Sequence, residues 1–270
     1  MSASSPEPPR PPELHRARAM AESFGTDAAA YDTARPGYPV ALIARVVHGL
    51  PDREVLDVGC GTGIAARQLQ AAGCAVLGVE PDPRMAAFAR SRGIPTEVAT
   101  FEEWEPAGRT FDAVTAAQSW HWVDPEIGAA KAARVLRPGG RLAVFGHVFE
   151  PPAEVAEPFA VAYRTAVPDS PFRGPARRPV EAYRRLYDDV ADRIRGTGAF
   201  DEPQSWRFDW ERRYTRDEWL ALLPTTGGLT RLARGLLQGI LDAVGAAIDS
   251  LGGGFTMEYT TLGTAAVRVG

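Results

Sequence analysis

Over much of its first half the chain reads as short apolar runs, each followed by a stretch with helical spacing. Val55 to Val58 is a strand leading into a helix from Ile64 to Ala72, and Ala75 to Val79 is a second strand. The second ends in Glu80 and passes into a helix over Pro81 to Arg92, entered through Asp82-Pro83. Ile94 to Ala99 is a short third strand and Phe111 to Ala117 a fourth. A helix over Glu126 to Leu136 is closed by Pro138-Gly139-Gly140 before a fifth strand, Arg141 to Phe145. Strands alternating with helices predict a parallel sheet with right-handed crossovers, whose ligands sit beyond the carboxyl ends of the strands.

Different patterns flank this core. Met1 to Pro12, with five prolines among small polar residues, predicts a disordered tail. Glu13 to Gly37 reads as one or two short helices, with Thr26 or Asp27 as a cap, and Arg35-Pro36-Gly37-Tyr38-Pro39 as the turn that ends them. The helix Val40 to Gly49 puts Leu42, Ile43, Val46 and Val47 on one face. From Phe149 to Pro203 no strand pattern occurs. Helices over Glu154 to Thr165 and Val180 to Arg195, separated by a Pro- and Arg-rich loop, predict an inserted helical cap. In Gln204 to Tyr214, Trp206, Phe208 and Trp210 alternate with Arg207, Asp209 and Glu211, which is strand spacing. Helices over Arg216 to Leu223 and Leu229 to Leu251 follow, then a last strand from Phe255 to Val269 that bends at Gly263.

Composition narrows the function classes. A net charge of -4 gives no basic footprint for nucleic acid. No apolar run approaches a membrane span and no signal-peptide core is visible, so the expectation is a cytoplasmic protein without a membrane partner. Cys60 and Cys74 are the only cysteines, too few for a disulfide scaffold, and the scattered His and Cys predict no metal dependence.

The chemistry centres on Val55 to Gly63, where an apolar strand runs through Asp57 into Gly59, Gly61 and Gly63 and then a helix. Such a turn lets the backbone approach a nucleotide-like ligand. Gly61-x-Gly63-x-x-Ala66 with Glu80 satisfies a dinucleotide fingerprint, which keeps an NAD(P)-dependent oxidoreductase as an alternative. Asp57 would face a pyrophosphate unfavourably and suits a ligand with an amino group.

Asp57-x-Gly59-x-Gly61-x-Gly63 is the motif of class I S-adenosylmethionine (SAM)-dependent methyltransferases, which the chain resembles from about Phe24 onward. The resemblance implies one α/β domain over residues 13–270. Its Rossmann-like seven-stranded sheet would be mostly parallel, with helices on both faces, the last strand antiparallel, an N-terminal helical lid (13–50) and the helical cap (149–203). It implies SAM as cofactor and S-adenosylhomocysteine as product. Asp57, Gly59, Gly61 and Gly63 would hold the methionine part, and Glu80 both ribose hydroxyls. Pro81, Asp82 and Met85 would flank the adenine, Thr100 and Phe101 would meet its edge, and Gln118 would line the methionine end.

Within the family the chain is similar to trans-aconitate methyltransferases through Tyr31-Asp32-x-x-Arg35-Pro36-x-Tyr38-Pro39 and Gln118-Ser119-Trp120-His121-Trp122-Val123-Asp124. The first segment would bring Tyr31 and Arg35 over the SAM carboxylate. The Asn/Asp-Pro-Pro-Tyr/Phe motif of nucleic-acid amino-methyltransferases is absent, which argues against a DNA base as acceptor. A small-molecule acceptor is expected, a metabolite or natural product of secondary metabolism, handled by a monomer or homodimer. It is either a carboxylate or an aromatic N, O or C nucleophile. His121 is a candidate general base or orienting group, or else part of the wall. Asp27 and Tyr31 are further candidates for catalysis. Phe24, Trp120, Trp122, His147, Phe149, Phe172 and Tyr183 are candidates for the acceptor pocket, with ordinary packing as the alternative, and Arg173, Arg177 and Arg178 of the cap loop are either candidates to bind an acidic acceptor or a solvated charge run. A catalytically silent SAM-binding scaffold is the other alternative.

Overall fold

The computed structural model describes residues 22–168 and 180–270. The expected tail, Phe172 and the arginines of the cap loop lie outside them.

Within the described residues, a 3₁₀ turn at Glu22–Asp27 leads into α1 (Ala28–Ala34) and α2 (Val40–Val47). The repeating units follow as β1 (Glu54–Val58), α3 (Ile64–Ala71), β2 (Ala75–Val79), α4 (Pro83–Ser91) and β3 (Thr96–Glu97). After β4 (Phe111–Ala117) come α5 (Gly128–Val135), β5 (Leu136–Glu150), α6 (Ala153–Ala166) and α7 (Val180–Gly196). The chain closes with β6 (Gln204–Thr215), α8 (Arg216–Leu222), α9 (Arg234–Ser250) and β7 (Gly254–Val267).

One sheet takes all seven strands in the order β3-β2-β1-β4-β5-β7-β6. The first five are parallel, while β7 runs antiparallel between β5 and β6, so it alone opposes the rest. The expected mixed sheet with a reversed last strand is therefore observed. One face packs α5 and α7 through residues such as Val114, Leu142, Val135 and Ile194. The other packs α2, α3 and α4 through Leu42, Val46, Leu69 and Ala89 against Val55, Ala113 and Phe145. A third cluster unites α6, α8 and α9 with Tyr214, Met257 and Tyr259 at the outer end of β6 and β7. The two helices expected to form one cap thus go to different places.

Other differences have physical causes. The third strand shrinks to two residues because it lies on the edge, with Ile94 sunk into the core and Pro95 offering only its carbonyl, to Gly78 N. The fifth strand runs past Phe145 to Glu150 because β7 pairs with it along that length. The long helix starts at Arg234, not Leu229, since Leu229–Leu232 is a tight turn closed by Leu232 N on Leu229 O.

The turn after β1 is left-handed at all three glycines, with φ of 63° at Gly59, 56° at Gly61 and 85° at Gly63. L-residues avoid this region. A Cβ on Gly59 would stand 2.6 Å from the Ser119 Cβ, whereas one on Gly61 would meet nothing within 4 Å. Gly59→Ala is expected to lose about 2–4 kcal/mol of unfolding free energy, from backbone strain and overpacking together. Gly61→Ala is expected to lose only about 1 kcal/mol, from backbone strain alone. Chemical denaturation of the two variants checks this, and equal losses would contradict it.

Candidate functional site

At the carboxyl ends of β1, β2 and β4 lies a cavity of about 460 Å³. Its floor is the glycine turn. Glu80, at the end of β2, sends its carboxylate back across this turn. Oε2 accepts from Gly61 N at 2.8 Å and Oε1 accepts from Asp82 N at 2.9 Å. Burial pushes its pKa up to about 7, against the pull of those two N–H groups. Asp57 is buried directly before the turn. Its Oδ1 accepts from Thr115 Oγ1 at 2.8 Å and its Oδ2 has no partner. Burial, opposed by the Thr115 bond and reinforced by the Glu80 charge, raises it to about 7 as well. Thr62 Oγ1, beside the turn, is also buried without a partner.

Asp82 caps α4 by accepting from Arg84 N, and the Arg84 guanidinium pairs with it. Pro81, Asp82 and Met85 line the cavity together with Thr100 and Phe101. The loop carrying Phe101 is pinned by Lys131, the only lysine, whose Nζ donates to the Glu102 and Trp104 carbonyls. Gln118 enters just beyond β4 with φ of 59°, a conformation uncommon outside glycine. Its side chain lies over Gly146, where a Cβ would fall 2.1 Å from Gln118 Oε1. His121 and Trp122 follow on a 3₁₀ turn, with ring centroids 4.7 Å apart. Burial lowers the His121 pKa to about 4.

The segment from Phe24 to Tyr38 crosses the cavity and is fastened at three points. Asp32 accepts from Arg67 at 2.7 Å. Tyr38 and Gln68 exchange two bonds, Tyr38 N to Oε1 at 2.7 Å and Nε2 to Tyr38 O at 2.8 Å. Arg35, with its guanidinium over the Tyr31 ring, donates to the Thr225 carbonyl at 2.7 Å. Tyr31, Arg35 and Phe24 thereby line the cavity.

The far wall is aromatic. His147 stacks on Tyr38 with centroids 4.4 Å apart and bonds Thr261 Oγ1 through Nδ1 at 2.9 Å. Burial lowers its pKa to about 3. Phe149, Tyr259 and Leu222 complete this side.

Of the residues singled out in the sequence, Asp27, Asp57, Gly63, Trp120 and Tyr183 are not on the cavity wall. Asp27 caps α1 by accepting from Ala30 N. Gly63 caps α3 behind the turn, where a Cβ would press on Ile94. Trp120 is core, packed on Phe101. Sequence reasoning missed Tyr259 and Leu222. The alternation of Phe255, Met257 and Tyr259 marks a buried face, but only pairing with β5 shows that this face meets the cavity, and nothing local marks Leu222. Among the described residues no three His, Cys, Asp or Glu are grouped to hold a metal ion. None of their helices is long and apolar enough to cross a membrane.

Residues 56–144 match the family model of a methyltransferase domain. The chain is 43% identical over 128 residues to an uncharacterized methyltransferase of Mycobacterium tuberculosis, a match covering 46% of this chain and 52% of that protein. It is 37% identical over 117 residues to the demethylmenaquinone methyltransferase of Tropheryma whipplei, covering 41% and 47%. The chain thus spans about half the length of the curated relatives it matches. A solved structure from Anaeromyxobacter dehalogenans, described as a type II methyltransferase, superposes with a TM-score of 0.62 at 27% identity, covering 87% of this chain and 98% of that one. The matched segment contains the strands and glycine turn that build the cavity floor, and over residues 56–144 the chain carries a methyltransferase domain.

Proposed function

We propose that the protein transfers a methyl group from SAM to a small-molecule acceptor bound in the same cavity. The observation that carries this reading is a pair of buried acids, Asp57 and Glu80, at a glycine turn, with no basic side chain bonded to either among the described residues. Two acids left in this state suit a ligand that is itself cationic and rich in donors, and the open space beside Gly61 gives its backbone room.

SAM supplies an electrophilic methyl group on a sulfonium, with a neutral thioether as leaving group. The charges of Glu80 on the cavity wall and of Asp57 just behind it would stabilise the positive ligand, and Glu80 would accept from ribose hydroxyls with the lone pairs that Gly61 and Asp82 leave free. Pro81, Asp82 and Met85 would flank the base, Thr100 and Phe101 would meet its edge, and Arg35 and Tyr31 would hold the carboxylate. The fastened segment from Phe24 to Tyr38 serves as the lid. His121 faces the acceptor. Its imidazole is neutral at physiological pH and no hydrogen bond fixes the ring among the described residues, so a ring nitrogen is available to take the acceptor's proton.

SAM is expected to bind in calorimetry, with no binding of NAD. Because Asp57 and Glu80 titrate near 7 in the free protein and a cation favours their ionised forms, binding releases protons below pH 7. The affinity should weaken at least about tenfold between pH 8 and pH 6. A Kd that does not change over that range would sink the assignment of the two acids.

His121→Ala should lower the single-turnover rate about 10²-fold with an acceptor found by a mass-shift screen, leaving the SAM Kd unchanged. A rate within twofold of the parent would make His121 a wall residue.

A further inference from the structure

β4 ends at Ala117, opposite Phe145, but β5 continues to Glu150, and β7 and β6 run with it. Three strands therefore overhang the carboxyl edge of the parallel sheet by five residues of β5, roughly 17 Å at strand rise. Directly paired residues point to one face. Phe149, Tyr259 and Trp210 form one row across the three strands, and His147, Thr261 and Phe208 form the next. The first row is tightly stacked, with Trp210 and Tyr259 centroids 4.2 Å apart at 10° and Phe149 5.4 Å from Tyr259.

Most polar groups of this wall are turned inward on one another, while His147 Nε2 is buried without a partner. The Tyr259 hydroxyl bonds the Tyr214 hydroxyl at 2.6 Å. Thr261 Oγ1 accepts from Trp210 Nε1 at 2.9 Å and lies 2.9 Å from His147 Nδ1. Phe149, Tyr259 and His147 reach the cavity without bringing a charge, the imidazole being neutral at any physiological pH. The acids that line the cavity, Glu80, Asp82, Glu102 and Glu103, follow β2 and β3 on the opposite side. Arg35 is the one cation on the cavity wall among the described residues.

We infer that this overhanging aromatic wall is the acceptor site and that it takes an uncharged, planar aromatic molecule in preference to a carboxylate or an amine. The inference rests on the functional reading above, in which Arg35 is engaged by the carboxylate of SAM. A carboxylate acceptor would then lie against uncharged rings with no cation among the described residues left to pair it. An ammonium would find no carboxylate on this side among the described residues and would meet the Arg35 charge. A flat, neutral ring loses little hydration and stacks.

Three probes with one ring system test the choice of charge: 2-naphthol, 2-naphthoate and (2-naphthylmethyl)ammonium, titrated by calorimetry into protein saturated with S-adenosylhomocysteine. Binding of S-adenosylhomocysteine is measured first, and its absence would overturn the methyltransferase reading itself. With it bound, 2-naphthol should bind at least tenfold more tightly than either charged probe. Phe149→Ala should weaken the naphthol at least fivefold, and Phe149→Leu, which keeps the apolar bulk, at least twofold, both with an unchanged affinity for S-adenosylhomocysteine. Equal or tighter binding of a charged probe, no naphthol binding, or indifference to both Phe149 variants would overturn the inference while leaving cofactor binding intact.

Discussion

The carboxylate of Glu80 is the interaction on which the site depends. It joins two turns distant in sequence, the glycine turn after β1 and the entry to α4 after β2, by accepting one backbone N–H from each. Those bonds hold the floor in shape, since N–H groups at a turn this buried need partners. They do not neutralise the charge. Glu80 and Asp57 repel each other in a poorly solvated place, so the ligand-free floor is electrostatically uncomfortable and a cation relieves it. On the proposed reading, the same acids that weaken the empty protein at neutral pH would favour a positive ligand.

Around that floor the chain adds two surfaces with different mechanical character. The crossing segment from Phe24 to Tyr38 is held by discrete polar fastenings, to Arg67 and Gln68 on α3 and to Thr225 beyond α8. The aromatic wall is held by strand pairing and ring stacking over three strands, which suits a part that keeps its shape.

What was legible in the sequence follows range. Asp57, the glycines, Glu80 and Asp82 are readable because the turn geometry they need is local, and the parallel core because its strands and helices alternate. The length of β5 is not readable from 146–150, because the strand extends there only by virtue of its partner β7. Tyr259 reaches the cavity through pairing with Phe149, more than a hundred residues earlier in the chain, and no window in the sequence contains both. Trp120 and Trp122 flank the same histidine, yet the 3₁₀ turn sends the first into the core and leaves the second on the cavity wall. Alternating letters alone cannot tell those apart.

The position of β7 between β5 and β6 has a consequence for biosynthesis. On a ribosome, β1 to β5 emerge before β6 and β7. β6 emerges next but has no neighbour except β7, so it waits. Until β7 arrives, β5 presents an open edge of fifteen residues, with an unprotected aromatic end. That interval is when the nascent chain is most exposed to intermolecular strand pairing. The strands that carry the cavity floor, β1 and β2, are made before β7, the strand that completes its aromatic wall.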